Sequence, residues 1–207
     1  MTTSPRLPPL KARKSARQQR STQMVADIVD AGARILEERG FEGYTTNAIA
    51  ARAGVSVGSL YQYFPGKDAI TIALIDRELE ILCADVLRCG DYADWRDGFA
   101  RIVSACVDHQ LRRPRLAALL DIEESRLDYP ADDSPLLLGP MSVIQVLLGQ
   151  AAGRPVDDPA GTALDIMAIT RGLTDAAGQR GDLDRQKLME KISRAVFGYL
   201  GVETAGD

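Results

Sequence analysis

A short segment near the N-terminus concentrates side chains that could recognise nucleic acid. It begins with the helix-stop glycine Gly54 and the helix-capping residue Ser56. About two turns of helix follow, until Pro65 and Gly66 end them before Lys67. These turns carry hydroxyls, an amide and two tyrosines on faces that a small core does not need. A short helix of this kind, braced by a preceding helix, suits insertion into a DNA major groove.

Several side chains of the segment have a definite capacity for DNA contact. Gln62 could read adenine through a bidentate amide pair, Val57 could touch a thymine methyl group, and Gly58 allows close backbone approach. Lys67 in the first turn of the next helix opposes the helix dipole, but with unpaired backbone amides it forms an anion site for phosphate. The alternative for Gln62 and Lys67 is an ordinary solvated surface residue.

Two tyrosines and two hydroxyl residues extend this set. Tyr61 and Tyr63 point about 200° apart on a helix, so both cannot be core. Ser59 and Thr46 are expected phosphate donors, with helix capping as the alternative for Thr46. Asn47 lies on the preceding helix.

The first 70 residues resemble the tetracycline-repressor (TetR) family of bacterial transcription regulators. The resemblance is ungapped and rests on Ile28, Ala31, Ile35, Leu36, Gly40, Phe41, Thr45, Thr46, Ile49, Ala50, 53–56, 58–61, Tyr63, Phe64, Lys67 and Asp68. It implies that Leu60 and Phe64 pack inward, that Tyr61 faces DNA and that Asn47 reads a base. With the reasoning above, the expected DNA-binding residues are Thr45, Thr46, Asn47, Ser56, Val57, Gly58, Ser59, Tyr61, Gln62, Tyr63 and Lys67.

Composition and periodicity predict an all-α fold. The 207 residues are 45% hydrophobic and 26% charged, and helix-favouring residues dominate. Apolar spacing predicts nine helices, the first over 16–39, the third over 56–64, and the last two over 159–179 and 182–200. We expect a disordered basic arm at 1–15, a helix-turn-helix DNA-binding domain at 16–66, and a helical ligand-binding and dimerisation domain at 67–207, the last two roles being implied by the resemblance.

Charge is distributed unevenly along the chain. Up to position 70 there are ten basic and six acidic residues, and beyond it fifteen and 23, so a net +4 precedes a net −8. This asymmetry indicates that only one end meets a polyanion. The arm residues Lys11, Arg13, Lys14 and Arg17 either follow phosphates or form a solubilising tail.

The larger domain gives weaker signals. Residues that could line a pocket for a small apolar or amphipathic effector are Trp95, Phe99, Cys106, His109, Tyr129, Met141 and Gln145, with core or surface positions as the alternative. The last two helices carry apolar stripes, with Leu164, Met167, Ala168 and Leu173 on the first of them. These helices either complete a single core or, as the resemblance implies, pair with their copies in a homodimer.

Several function classes find no support in the sequence. Three cysteines without CxxC spacing fit a reducing cytosol, and a lone His109 leaves little for a zinc site, so we expect neither metal nor cofactor. No apolar run reaches 18 residues, so we expect no membrane span and a cytoplasmic location. Enzyme motifs such as GxSxG, HExxH or a phosphate loop do not occur.

These observations predict a ligand-responsive transcription regulator. In the family it resembles, such a protein is most often a repressor that leaves a near-palindromic operator when a ligand binds. One alternative is a helical oligomeric interaction protein that binds DNA only non-specifically. A remoter one is an enzyme that modifies a small molecule.

Overall fold

The computed structural model describes residues 12–90, 92–129, 134–151 and 156–202, and every regular element in these ranges is helical. Short 3-10 turns at Arg88–Gly90 and Pro135–Leu137 precede the fifth and seventh helices. The α-helices are α1 (Ala12–Gly43), α2 (Thr46–Ala53), α3 (Val57–Tyr61), α4 (Lys67–Leu87), α5 (Trp95–Arg112), α6 (Pro114–Leu127), α7 (Leu138–Ala151), α8 (Pro159–Arg180) and α9 (Arg185–Tyr199). The predicted all-α class and the nine helices are confirmed for these residues.

The chain divides into two compact units, one up to Leu74 and one from Ile75 onward. We call them the N-terminal unit and the C-terminal unit. The predicted domain boundary between residues 66 and 67 stays a prediction, since α4 begins at Lys67 and crosses the limit between the units. Within the described ranges no helix is both long and apolar enough to cross a membrane.

A small apolar core holds the N-terminal unit together. It takes buried side chains from each of its helices, including the start of α4: Ile28, Ile35, Leu36, Ile49, Leu60, Ile70 and Leu74. Gly40 interrupts α1 with a φ of 63°, a left-handed value that glycine adopts without strain. Gly40 therefore ends the regular helix, as predicted, and a further turn leads to α2.

Two predicted boundaries in this unit are wrong. Helix α1 begins at Ala12 and not near residue 16, so residues 12–15 are helical. The strong helix formers in 12–20 account for this extension, and residues 1–11 lie outside the described ranges. Helix α3 ends at Tyr61 and not at Phe64, because the chain must leave the helical region before Pro65.

The C-terminal unit has a separate and larger core. Helices α5, α7, α8 and α9 pack around buried residues that include Phe99, Val107, Ile144, Leu147, Leu148, Ile166, Ile192 and Val196. The rings of Trp95, Phe99 and Phe197 meet edge to face, with centroids 5.9–6.5 Å apart. This aromatic cluster joins the start of α5 to the end of α9.

Helix α8 buries a different face from the predicted stripe. Leu164 is 49% exposed and Ala168 is also exposed, whereas Ala163, Ile166, Thr170, Thr174 and Ala177 are buried. Thr170 donates to the carbonyl of Ile166 (2.8 Å), and Thr174 to that of Arg171 (2.8 Å). Because these hydroxyls bond within their own helix, they can enter the core without an unsatisfied group. Apolar periodicity therefore missed a face that is partly threonine.

Candidate nucleic-acid interface

Local hydrogen bonds set the turn between α2 and α3. Thr45 caps α2, its Oγ1 accepting from the amide of Ala48 at 3.2 Å. Gly54 ends α2 with a φ of 70°, and its amide bonds back to the carbonyl of Ala51 at 3.3 Å. The predicted role of Gly54 as the helix stop is confirmed, and the N-cap is Thr45 and not Thr46. The turn between α2 and α3 consists of three residues, 54–56.

Ser56 and Ser59 order the first turn of α3. Oγ of Ser56 accepts from the amide of Ser59 at 3.0 Å, and the two hydroxyls lie 2.8 Å apart. One of the two protons joins the oxygens, so the pair retains a second proton that can be donated outward. A phosphate oxygen is a suitable acceptor for that proton, as expected for Ser59.

The large side chains of residues 60–64, in α3 and directly after it, are either buried or exposed. Leu60 and Phe64 are buried, whereas Tyr61 is 52% and Tyr63 37% exposed. This division matches the expected inward packing of Leu60 and Phe64. The hydroxyl of Tyr61 lies 3.3 Å from Oγ1 of Thr46 on α2, which joins the exposed edges of the two helices.

The remaining candidates present polar or small surface. Asn47, Gly58 and Gln62 are exposed and Val57 is half-buried. Gln62 stands at the C-cap of α3, where its side chain is not used by the core. The surface that these residues form can donate and accept hydrogen bonds, which is what the edges of base pairs offer in a major groove.

The start of α4 adds the positive charge. Lys67 is the first residue of α4, is exposed, and its Nζ lies 6.0 Å from the ring centroid of Tyr44. Asp68 shares this first turn. Sequence reasoning missed Tyr44 and Thr71, whose buried hydroxyls lie 3.2 Å apart beneath this helix start. No motif marks them, although a tyrosine directly before a capping threonine was a usable signal.

A second missed feature braces α2 from outside. The guanidinium of Arg52 donates to both carboxylate oxygens of Glu38 on α1, at 2.9 and 2.8 Å. Hydrogen bonding to Arg52 lowers the pKa of Glu38. Both groups are exposed, so the pair fixes the geometry of α2 on α1 more than it stabilises the fold.

The predicted effector residues have different surroundings in the C-terminal unit. Trp95 and Phe99 belong to the aromatic cluster, whereas Tyr129 donates its hydroxyl to Asp76 of α4. Burial raises the pKa of Tyr129. Met141 and Gln145 are half-buried on α7, as are Cys106 and His109 on α5. These residues stay predictions of an effector site.

Two of the predicted effector residues, Cys106 and His109, lie on α5 and have shifted pKa values. Burial raises the pKa of Cys106 to about 12, so this thiol is protonated and unreactive at neutral pH. Burial lowers the pKa of His109, which keeps the imidazole neutral, and its Nδ1 is buried without a hydrogen-bond partner among the described residues. Nε2 of the neighbouring Gln110 is likewise buried and unpartnered.

A surface groove lies elsewhere in the C-terminal unit. Its volume is about 380 Å³ and it is lined by Asp85, Arg88, Cys89, Arg101, Ser104, Ala105, Asp108 and Arg112. The arginines are held by ion pairs, for example Arg112 with Asp85 at 2.9 Å. None of the predicted effector residues lines this groove. In the described ranges no three His, Cys, Asp or Glu side chains are placed to hold a metal ion.

Comparison with known proteins extends over both units. Residues 28–74 match the model of the family described as bacterial regulatory proteins, tetR family. Residues 94–200 match the model of the tetracyclin repressor-like C-terminal domain.

Two relatives match shorter segments of the chain. The HTH-type transcriptional repressor KstR of Mycolicibacterium smegmatis is 42% identical over 53 residues, which are 26% of this chain and 26% of that protein. The A-factor receptor protein of Streptomyces griseus is 38% identical over 63 residues, 30% of this chain and 23% of that protein. The matched segments thus span about a quarter of each relative.

Solved structures share the fold over most of the chain. The fatty acid degradation regulator FadR of Bacillus halodurans superposes with a TM-score of 0.69 at 17% identity, covering 83% of this chain and 93% of that one. A TetR-family transcriptional regulator of Streptomyces coelicolor gives a TM-score of 0.64 at 25% identity, covering 86% and 98%. With more than half of the sequence matched by the C-terminal family model alone, the chain belongs to the tetR family of bacterial regulatory proteins.

Proposed function

We propose that this protein is a DNA-binding transcription regulator, a repressor that a small molecule releases from a near-palindromic operator. The observation that carries the proposal is the α2–turn–α3 arrangement, whose outer face is built of exposed polar side chains on a short capped helix. The tetR-family match covers this arrangement. Two relatives that match part of this chain are named a transcriptional repressor and a receptor protein.

Within this proposal α3 reads base edges. Gln62 pairs with adenine, Val57 contacts a thymine methyl group, and Gly58 lets the backbone approach the base pairs. The exposure of Gln62 and Gly58 supports these roles. Asn47 reads a base from α2, and Tyr61 faces the DNA.

Phosphate contacts position the helix. Hydroxyls of Thr45, Thr46, Ser56, Ser59 and Tyr63 donate to phosphate oxygens and fix the register of the protein on the duplex. Lys67 adds a charge-assisted contact at the start of α4. In this proposal residues 16–66, together with Lys67, bind DNA, and the remainder of the domain that begins at residue 67 binds the effector and a second subunit.

Two copies are needed for a palindromic site. We propose a homodimer through α8 and α9, whose outer faces expose the apolar residues Leu164 and Tyr199. Such a dimer sets two copies of α3 in successive major grooves, about 34–36 Å apart. Its two-fold symmetry matches the symmetry of the operator.

The effector enters the C-terminal unit. A ligand shifts the operator equilibrium only if it binds one arrangement of the protein better than the other. The unpartnered polar atoms of His109 and Gln110 on α5 support an amphipathic molecule with a polar group, since a ligand atom could satisfy them. The chain acts by binding, not by catalysis, and we place it in the cytoplasm.

Selection of bound sequences from a pool of random duplex DNA tests the proposal. The full-length protein should enrich a near-palindromic consensus whose half-sites lie about one helical turn, 10–10.5 base pairs, apart. The matched control is the Gln62→Ala/Asn47→Ala variant, which should enrich a degenerate consensus. Recovery of no consensus would favour the alternative protein that binds DNA only non-specifically.

A further inference from the structure

Tyr44 links the two helix starts that the proposed function assigns to DNA phosphates. It lies directly before Thr45, the N-cap of α2, and is 1% exposed. Its hydroxyl lies 3.2 Å from Oγ1 of Thr71, which is fully buried in the second turn of α4. The same Oγ1 lies 3.0 Å from the carbonyl oxygen of Lys67, the first residue of α4. Two hydrogen bonds therefore connect the start of α2 with the start of α4.

The chemistry of the groups sets the direction of these bonds. Thr71 is the donor in both bonds: its single hydroxyl proton lies between the carbonyl oxygen of Lys67 and the hydroxyl oxygen of Tyr44, and both oxygens accept from it. Threonine in a helix commonly bonds to the carbonyl four residues earlier. Because the two hydroxyls are buried, their hydrogen bonds are shielded from water. They therefore hold the geometry more rigidly than hydrogen bonds between exposed groups would.

Two further contacts hold the same groups. Nζ of Lys67 lies 6.0 Å from the ring centroid of Tyr44, within the range of a cation–π interaction. Helix α1 closes on the ring from behind at Gly32. A methyl group there would lie 3.5 Å from the hydroxyl oxygen of Tyr44 and 3.1 Å from Cγ2 of Ile70. The ring thus has little room to move relative to α1 or α4.

We infer that Tyr44 is a positioning residue that sets the spacing between the Thr45–Thr46 start of α2 and Lys67 at the start of α4. Both helix starts then meet the phosphate backbone together. The inference rests on the proposed function, since it requires that these groups contact DNA. Phosphate contacts depend on register, and a charge-assisted bond is lost when its donor moves out of reach. Removal of the Tyr44 hydroxyl therefore weakens DNA binding through Lys67.

The test uses the full chain and a fluorescent duplex that carries the consensus enriched from the pool of random duplex DNA. Tyr44→Phe and Thr71→Val should each lower affinity about 3–10-fold and reduce the salt slope by up to about one phosphate. Lys67→Ala should cost much less in the Tyr44→Phe background than in the parent, because the two changes act through one contact. Thr71→Ser, which keeps the oxygen, should bind like the parent. Tyr92→Phe removes a tyrosine hydroxyl from the C-terminal unit and should change nothing.

The double variant Tyr44→Phe/Thr71→Val separates positioning from stability. It removes both side-chain partners, so its melting temperature should recover relative to Thr71→Val. A positioning role predicts that affinity stays low, whereas recovery of affinity with stability would overturn the inference. Parent-like binding by Tyr44→Phe, with Lys67→Ala still weakened, would overturn it and leave the proposed function intact. If Lys67→Ala also bound like the parent and no duplex were enriched, the proposed function would fail and the inference with it.

Discussion

The contacts that set α3 in the N-terminal unit and those that join α5 to α9 in the C-terminal unit differ in the sequence distance between the groups that meet. The cap of α3 comes from a neighbour, since Ser56 accepts from the amide of Ser59. Helices α5 and α9 are joined by residues far apart in the sequence, since Arg185 donates to Asp108 at 2.6 Å. Spacing along the sequence reveals the first kind of contact and not the second. The exposed residues of α3 could thus be identified from the sequence alone, whereas contacts of the second kind could not.

Core truncations should give the largest effects and sharpen the comparison. Leu60→Ala and Leu147→Ala each shorten a fully buried leucine, one in each unit, and each should cost about 2–5 kcal/mol of unfolding free energy. Hydrogen exchange by mass spectrometry should locate the loss of protection mainly in the unit that carries the change. Equal loss of protection across both units for either variant would show that the units do not behave separately.

The next largest effects should come from substitutions of two residues that are proposed to contact DNA. Gln62→Ala should cost about 1–3 kcal/mol at one operator position and leave the others unaffected. Lys67→Ala should weaken all duplexes alike and lower the salt slope by about one. Both effects are read from anisotropy titrations on single-position variants of the selected duplex at several salt concentrations. Uniform weakening by Gln62→Ala would remove it from the base-reading set.

The pH dependence of stability should expose the acidic contact between α6 and α8. Burial raises the pKa of Asp121 to about 7, and the nearby Asp175 and Glu124 carboxylates add to this while Arg171 opposes it. Its Oδ2 has no hydrogen-bond partner among the described residues. Since the unfolded value is near 4, the folded state binds more protons between about pH 4 and 7. The free energy of unfolding contributed by Asp121 therefore falls as pH rises through that window and is level above it.

Asp121→Asn tests this assignment. The variant should gain about 1–2 kcal/mol at pH 8 and little at pH 4, because it removes the buried charge only where that charge exists. Urea denaturation at the two pH values measures the difference. A gain that is equal at both would mean that Asp121 is not responsible.

Capping variants should give the smallest effects and divide function from stability. Ser56→Ala and Asp94→Ala each remove a cap, on α3 and α5, that accepts an amide proton at 3.0 and 2.9 Å. Each should cost about 1 kcal/mol of stability. Only Ser56→Ala should also weaken operator binding, since α5 lies outside the DNA-reading surface. If Asp94→Ala weakened binding as much, the functional contrast between the units would be wrong.

Much of the fold could be predicted from residue types, and the errors have physical causes. Caps and glycine stops located most helices, because their effects extend over one turn only. The buried face of α8 was missed because Thr170 and Thr174 satisfy their own hydroxyls and enter the core, which apolar periodicity does not anticipate. The early start of α1 at Ala12 was missed because charge and proline content outweighed helix propensity in the prediction.

As with the fold, only part of the candidate site could be predicted from the sequence. Surface residues of α3 were identified since a small core has no use for them. Tyr44 and Thr71 were missed because their pairing spans 27 positions and depends on how α1, α2 and α4 pack. The effector residues show the same limit, as Trp95 and Phe99 pack in an aromatic cluster while Tyr129 binds Asp76. Tertiary packing decides such contacts, and a single sequence does not encode it in any local pattern.

The ratio of affinities for the selected duplex and for a scrambled duplex of equal length and composition tests the central claim most directly. It should be measured at physiological salt by competition against the full-length protein. If α3 reads base edges, the ratio should be about 10³ or more in the parent and fall about tenfold or more in Gln62→Ala. A ratio within a few-fold of one, unchanged by Gln62→Ala, would contradict the account.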